Sequence, residues 1–335
     1  MKRFIYLFLF FGTLLTLTHA DEDGYHLGHG IKVGNIPLYA GGYFSFEYEN
    51  VNDGKEEVKL DDFSLMLYGE TERFDYMMEL EANDIYSEVL RGPDKNESVN
   101  FRLHIERFYV DYKQEQYTLR AGKFNSFIGF WNRIPINVLR DTTSNPEIVQ
   151  YLFPHFTSGV NVAYHPEGWD ESVLNVMLQE TKDLDAYVNE AVYNNMDINR
   201  HYGLGLEVTS GLSAYRFNAG TFRLRNGEVR YYAAAAFSYE ESRFTLQGEA
   251  GIQFDEDGLT IPYMGYVQGT YSIADGHEAI ARIESYEDRV RGKHDTFGVL
   301  GYTWRPIYPV ALKGEYQMHR QDGDNRFLFS VSMMF

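Results

Sequence analysis

The chain has no cysteine among its 335 residues. That excludes a disulfide framework and any thiolate site for metal binding or catalysis. Positive charge is scarce too: 30 Lys and Arg stand against 49 Asp and Glu, a formal net charge of −19. An acidic surface of this kind speaks against nucleic acid as a partner, because a phosphate backbone is held by a basic face. Long apolar runs are also missing. Phe4 to Leu17, the one uninterrupted stretch of apolar residues, Gly and Thr, is 14 residues long. A helix needs ~20 to cross a bilayer. What the chain does hold is aromatic surface, with 27 Tyr and 24 Phe, and that abundance suits girdles of aromatic side chains at two membrane interfaces.

The short apolar run has the pattern of a secretory signal. Lys2 and Arg3 precede it, Thr18-His19-Ala20 sets small residues where a signal peptidase reads, and Asp21-Glu22-Asp23 follow at once. Two regions are expected: a signal peptide at 1–20 and a single domain at 21–335. The mature domain keeps 28 basic against 49 acidic residues, a net charge of −21. With no helix able to span, entry into a membrane requires a closed β-barrel, in which every backbone polar group is paired without water. The mean hydropathy of −0.40 fits such a barrel, since only alternate residues of its strands face lipid.

Alternation dominates the mature chain. Leu38, Ala40, Gly42, Phe44, Phe46 and Tyr48 share a face, opposed by Tyr39, Gly41, Tyr43, Ser45, Glu47 and Glu49. Val310, Leu312, Gly314, Tyr316 and Met318 repeat the pattern against Ala311, Lys313, Glu315, Gln317 and His319. Sixteen such strands can be placed, near residues 36–49, 58–70, 73–84, 101–113, 116–124, 157–165, 172–181, 201–209, 213–225, 228–240, 243–255, 261–273, 277–288, 295–305, 308–319 and 325–335. Connections after even-numbered strands are short, such as Thr71-Glu72, Gln114-Glu115 and Glu241-Ser242. The long ones, 50–57, 85–100, 125–156 and 182–200, all follow odd-numbered strands. The expected fold class is all-β, a transmembrane antiparallel barrel of about 16 strands, with short turns and both termini in the periplasm and the long loops outside. A large soluble sandwich or propeller is the rival architecture.

The chain stops on Phe335, and Phe327, Phe329, Val331, Met333 and Phe335 fall on one strand face. This segment resembles the C-terminal strand of bacterial outer-membrane barrels. The resemblance implies a cell outer membrane location, contact with outer-membrane lipid and lipopolysaccharide, and reading of Phe335 by the barrel assembly machinery. A second likeness lies upstream. Glu106-Arg107-Phe108-Tyr109-Val110-Asp111-Tyr112, then Tyr117 to Phe124 and Phe127-Ile128-Gly129-Phe130-Trp131-Asn132, is similar to the strand-to-loop region of bacterial porins, nearest the phosphate-selective porin O and P family. That likeness implies a sixteen-stranded channel, a homotrimer, and a third loop forming a constriction.

The residues of 125–156 agree with this from a different direction. The loop carries Phe127, Ile128, Phe130, Trp131, Ile134, Ile136, Val138, Leu139, Ile148, Val149, Tyr151, Leu152 and Phe153, too apolar to sit in water. Folding back into the lumen resolves that; packing over the rim or against a neighbouring subunit is the alternative. Alternation points Glu47, Asp75, Glu79, Glu81, Asp111, Glu207, Glu249, Glu284 and Glu315 inward, against Arg107, Arg120, Arg216, Arg230, Arg282 and Lys313. More acids than bases on a narrow wall favours cations, whereas phosphate selectivity in the related family rests on clustered bases. The candidate constriction residues are Arg107, Arg120, Arg133, Arg140, Asp141, Glu147, Arg282, Glu284, Lys313 and Glu315.

The reading is a porin for small hydrophilic solutes or ions. The rivals are a substrate-specific channel of similar build, and an adhesin or structural barrel with a plugged lumen. No cofactor or metal is expected. His26 and His29 lack a third ligand, and the acidic turns at 255–258 and 322–325 do not continue into calcium loops. Asn96-Glu97-Ser98 matches a glycosylation acceptor, a pattern common by chance. No Ser and His at recognisable spacing suggest a hydrolase, so no enzymatic activity is expected.

Overall fold

The computed structural model describes residues 28–52, 54–92, 97–99, 103–134, 136–169, 172–184, 195–321 and 325–335. The expected signal peptide at 1–20, His26, Asn96, most of the loop near 185–194 and Asp322 to Asp324 lie outside these. One sheet holds eighteen strands, two of them fragments: Ile31–Lys32 pairs with the first long strand, and Glu97–Val99 folds back on the third. The other sixteen form the wall. They are β1 (Tyr39–Val51), β2 (Glu56–Glu70), β3 (Phe74–Arg91), β4 (His104–Gln114), β5 (Tyr117–Asn125), β6 (Phe156–Tyr164), β7 (Ser172–Gln179) and β8 (Ile198–Ser210), followed by β9 (Ser213–Leu224), β10 (Val229–Glu241), β11 (Phe244–Phe254), β12 (Leu259–Ala274), β13 (His277–Asp288), β14 (Lys293–Ile307), β15 (Val310–His319) and β16 (Arg326–Met334). Each pairs antiparallel with its neighbours in sequence, and β16 pairs with β1 from Arg326↔Val51 to Met334↔Tyr43. The sheet is closed, so it has no free edge.

Period two sets the faces. On β13, Ile283 is 57% exposed while its neighbours Arg282 and Glu284 are 3% and 2% exposed. Leu204, Phe217 and Leu300 are exposed in the same way, and Ser45, Ser64, Glu79, Thr303 and Ser330 are buried. The apolar face therefore looks outward and the polar face inward. A band of exposed aliphatic and aromatic side chains is unfavourable in water by about 25 cal/mol per Å² and suits a hydrocarbon solvent. Among the described residues no helix is long and apolar enough to cross a membrane.

The largest departure from the alternation-based boundaries is β3, which runs on to Arg91 rather than stopping near residue 84. Two local irregularities hide the continuation. Asp62 pairs with Asn83 but Leu60 with Tyr86, so Asp61 is extra on β2 and Asp84-Ile85 on β3. Asp84 takes a positive φ of 47°. Past these bulges the apolar phase has shifted, and a strict period-two reading loses the strand.

Candidate functional site

Residues 126–155 connect β5 to β6, and their neck is closed by hydrogen bonds. Ser126 N donates to His155 O at 2.8 Å, and Asn132 Nδ2 donates to Ser126 O and His155 O at 2.8 and 3.1 Å. Short helical turns at Trp131–Arg133 and Asn137–Leu139 and a helix α1 (Glu147–Tyr151) shape the rest. Their unpaired backbone groups are satisfied from the inner face of the wall.

Three buried carboxylates take most of these donors. Glu249 on β11 accepts from Phe130 N and Trp131 N at 2.9 and 2.8 Å. Glu315 on β15 accepts from Thr143 N and Ser144 N at 3.0 and 3.2 Å. Glu284 on β13 accepts from Glu147 N, the first residue of α1, at 2.9 Å, where an anion suits the helix start. Elsewhere Gly129 N donates to Asn218 on β9, Arg133 pairs with Glu207 on β8 at 2.8 Å, and Asn137 Nδ2 donates to Glu47 on β1 at 3.2 Å. Asp141 accepts from Gln268 and Thr270 on β12 at 2.9 and 2.8 Å, Thr303 on β14 donates to Asp141 O, and Thr143 Oγ1 meets Ser330 Oγ on β16 at 2.8 Å.

Apolar packing adds to the polar ties. Ile128, Trp131, Ile148, Val149, Leu152 and Phe153 form one core with wall residues including Met177, Phe222, Tyr232, Ile261 and Met264. Ile136 and Val138 form a second with Tyr43, Met66, Ala311 and Met334. The two cores sit on adjoining arcs of the ring, one against β7–β14, the other against β1, β2, β15 and β16.

Between the segment and β1–β4 lies a cavity of about 470 Å³. Glu47, Glu49, Asp61, Asp62, Glu81, Asp84, Glu106 and Glu147 line it, against Lys59, Arg140 and Arg326, with His155 and His319. Burial pushes the His155 imidazole down to about 4 and holds the Glu147 carboxyl above its ordinary range, with Arg291 acting the other way on Glu147.

The ten candidate residues divide accordingly. Arg140 and Glu147 line the cavity. Arg282, Glu284, Lys313 and Glu315 are buried and hold the segment: Arg282 donates to Thr142 Oγ1 and Ser144 Oγ at 2.7 Å each, and Lys313 donates to the carbonyl and side chain of Asn137. Asp141 is held by β12. Arg133, on the segment itself, ties it to Glu207, whereas Arg107 and Arg120 stand apart on the wall, tied to Glu79 and Asp111. Glu249, Asn218, Asn137, Asp61, Asp62, Asp84 and Glu106 were absent from the candidate set. The adjacent polar pairs Asp61-Asp62, Asn83-Asp84 and Glu106-Arg107, each breaking alternation, are the signal that marks the last four.

No protein-family model matches the chain, and no curated protein does. Solved structures do. Similar folds include OmpT of Vibrio cholerae, an outer membrane protein in trimer form, at 12% identity over 89% of this chain and 99% of that one, TM-score 0.62. Salmonella typhi OmpF in complex with daunomycin aligns at 9% identity over 89% and 97%, TM-score 0.64. An anion-selective porin from Comamonas acidovorans aligns at 11% identity over 89% and 99%, TM-score 0.60. At such identities the likeness is one of fold, and the chain has the closed antiparallel barrel of these proteins.

Proposed function

We propose that this chain is an outer-membrane porin, a passive channel for small hydrophilic solutes and ions that prefers cations. The observation that carries the reading is the acidic cavity beside the segment 126–155. A segment tied to the inner face of nine strands, β1, β8, β9 and β11 to β16, crosses the lumen and narrows it. Most of its apolar residues fill the side toward β7–β14, Ile136 and Val138 pack on β1, β2, β15 and β16, and the path left open runs past the carboxylates of β1–β4. Field lines focus in such a passage and concentrate counter-ions. Arg133, Arg282 and Lys313 are engaged by Glu207, Ser144 and Asn137, so they offer little to a passing anion. For this reason the likeness to phosphate-selective porins is followed for architecture and not for substrate.

The same reading sets lipid and lipopolysaccharide against the apolar outer face and associates the chain as a homotrimer. The test is the mature chain in a planar bilayer under a salt gradient. Ohmic steps with a reversal potential of cation sign are expected. No conductance, or an anion-selective sign, would sink the proposal.

A further inference from the structure

We propose that Glu81, His104 and Glu106 form a binding site for a divalent transition-metal cation on the inner wall. Each offers a donor atom, and these atoms lie within 4.8 Å of one another. The three residues are 4%, 3% and 7% exposed, so this is a built recess and not a solvated acidic surface.

The strands bring the trio together for a definite reason. Glu81 on β3 stands opposite His104 on β4. Farther along, Leu80 pairs with Ile105 and Glu79 with Arg107, which leaves Glu106 as the extra residue of a bulge. The bulge resets the alternation, so Glu106 and Arg107 are both buried on the inner face. Arg107 is taken by Glu79, and Lys123 on β5 by Asp183 and the Ile105 carbonyl. Two carboxylates and an imidazole are left facing one another. Glu106 Oε2 lies 3.1 Å from His104 Nε2, while His104 Nδ1 is buried with no hydrogen-bond partner among the described residues. Tyr43 and Asn83 donate to Glu81 and orient it, the kind of outer support that metal ligands carry.

The chemistry of the set selects the ion. Two buried carboxylates are costly unless neutralised, and a divalent cation supplies two positive charges. An imidazole among carboxylates suits zinc, iron, cobalt or nickel, whereas calcium and magnesium take oxygen ligands throughout. Three protein ligands leave positions for water, so the ion exchanges with the cavity that Glu81 and Glu106 line. Binding stands apart from the channel reading; only the idea that a permeating ion pauses here rests on it.

The experiment uses the mature chain refolded in detergent, stripped with chelator, and titrated calorimetrically with zinc chloride alone. One zinc per chain is expected, with His104→Gln and Glu106→Gln each weakening affinity at least about tenfold. Glu256→Gln, in the outer turn after β11, keeps the parent affinity. Heat-modifiable gel mobility confirms that each variant is folded. Absence of saturable binding, or affinities unchanged in both folded ligand variants, overturns the proposal.

Discussion

Single side chains decide whether the inner segment stays in place, and Glu249 shows why. It accepts from Phe130 N, Trp131 N and Tyr266 OH, the last at 3.0 Å. Glu249→Ala leaves these buried donors unpaired, at about 1–3 kcal/mol each before relaxation. Gly129 meets the same carboxylate from the other side. Its φ is +63°, and a Cβ there would lie 2.0 Å from Glu249 Oε2, so Gly129→Ala both strains the backbone and displaces the acceptor. Each variant should speed protease nicking within 126–155 in the folded barrel, and the double variant should add little to either alone because both break one contact set. Unchanged nicking rates would remove Glu249 as an anchor. His155 adds a pH dependence. Glu106, Arg140, Lys123 and Arg107 surround it, and burial lowers it from the usual histidine range to about 4. The undocked segment therefore binds the proton more readily than the docked one. Docking is fully stabilised above about pH 6.5 and weakens as pH falls toward 4. Half-buried Glu147, held above its ordinary range, opposes this by becoming neutral in acid. Comparison with His155→Gln isolates the histidine: the parent's nicking rate should rise between pH 7 and 4.5, and the variant's should rise less.

At the scale of elements, the segment and the wall stabilise each other. Deleting residues 130–150 removes the backbone partners of Glu249, Glu284 and Glu315 and uncovers the wall around Tyr266, whose ring lies 6.2 Å from that of Trp131. Conductance should rise more than about twofold as the cross-section widens. The thermal midpoint should fall, because apolar wall surface meets water at about 25 cal/mol per Å². A conductance equal to the parent's would mean that the segment does not lie in the conducting path. The strands themselves were legible in sequence because a backbone with side chains on alternating faces repeats every two residues. The segment was legible as an element whose apolar content needs cover. Its partners were not, since they come from nine strands that only closure of the ring brings near. The bulges at Asp61, Asp84 and Glu106 escaped for a different reason. Alternation assigns a face by parity, and an extra residue reverses parity without changing composition. Hence parity with Arg107 and Asp111 places Glu106 on the outer face, although it lines the cavity.

The whole molecule depends on the last strand reaching the first, and Phe335 sits at that seam. Its N–H donates to Gly42 O at 2.8 Å and its carbonyl accepts from Gly42 N at 2.9 Å, one step past the last ladder pair. Its ring lies 6.5 Å from Phe44 on β1 and 6.2 Å from Phe63 on β2, so it spans the closing strands on the apolar face. Gly42 leaves room both for it and for β2: a Cβ there would lie 2.7 Å from Phe335 Cζ and 2.2 Å from the Ser64 carbonyl oxygen. Phe335→Ala keeps the backbone pair and loses aromatic packing worth about 0.5–1.5 kcal/mol beyond its buried area. Removal of Phe335 loses both, and takes away the partner of the Gly42 N–H and carbonyl. Gly42→Val keeps Phe335 in the chain but crowds both its ring and the Ser64 carbonyl on β2. Refolding into lipid vesicles, followed by heat-modifiable gel mobility, should therefore rank the parent first, Phe335→Ala and Gly42→Val next, and the chain lacking Phe335 last. If Gly42→Val folds as fast as the parent while Phe335→Ala does not, packing at the seam is not what the aromatic supplies.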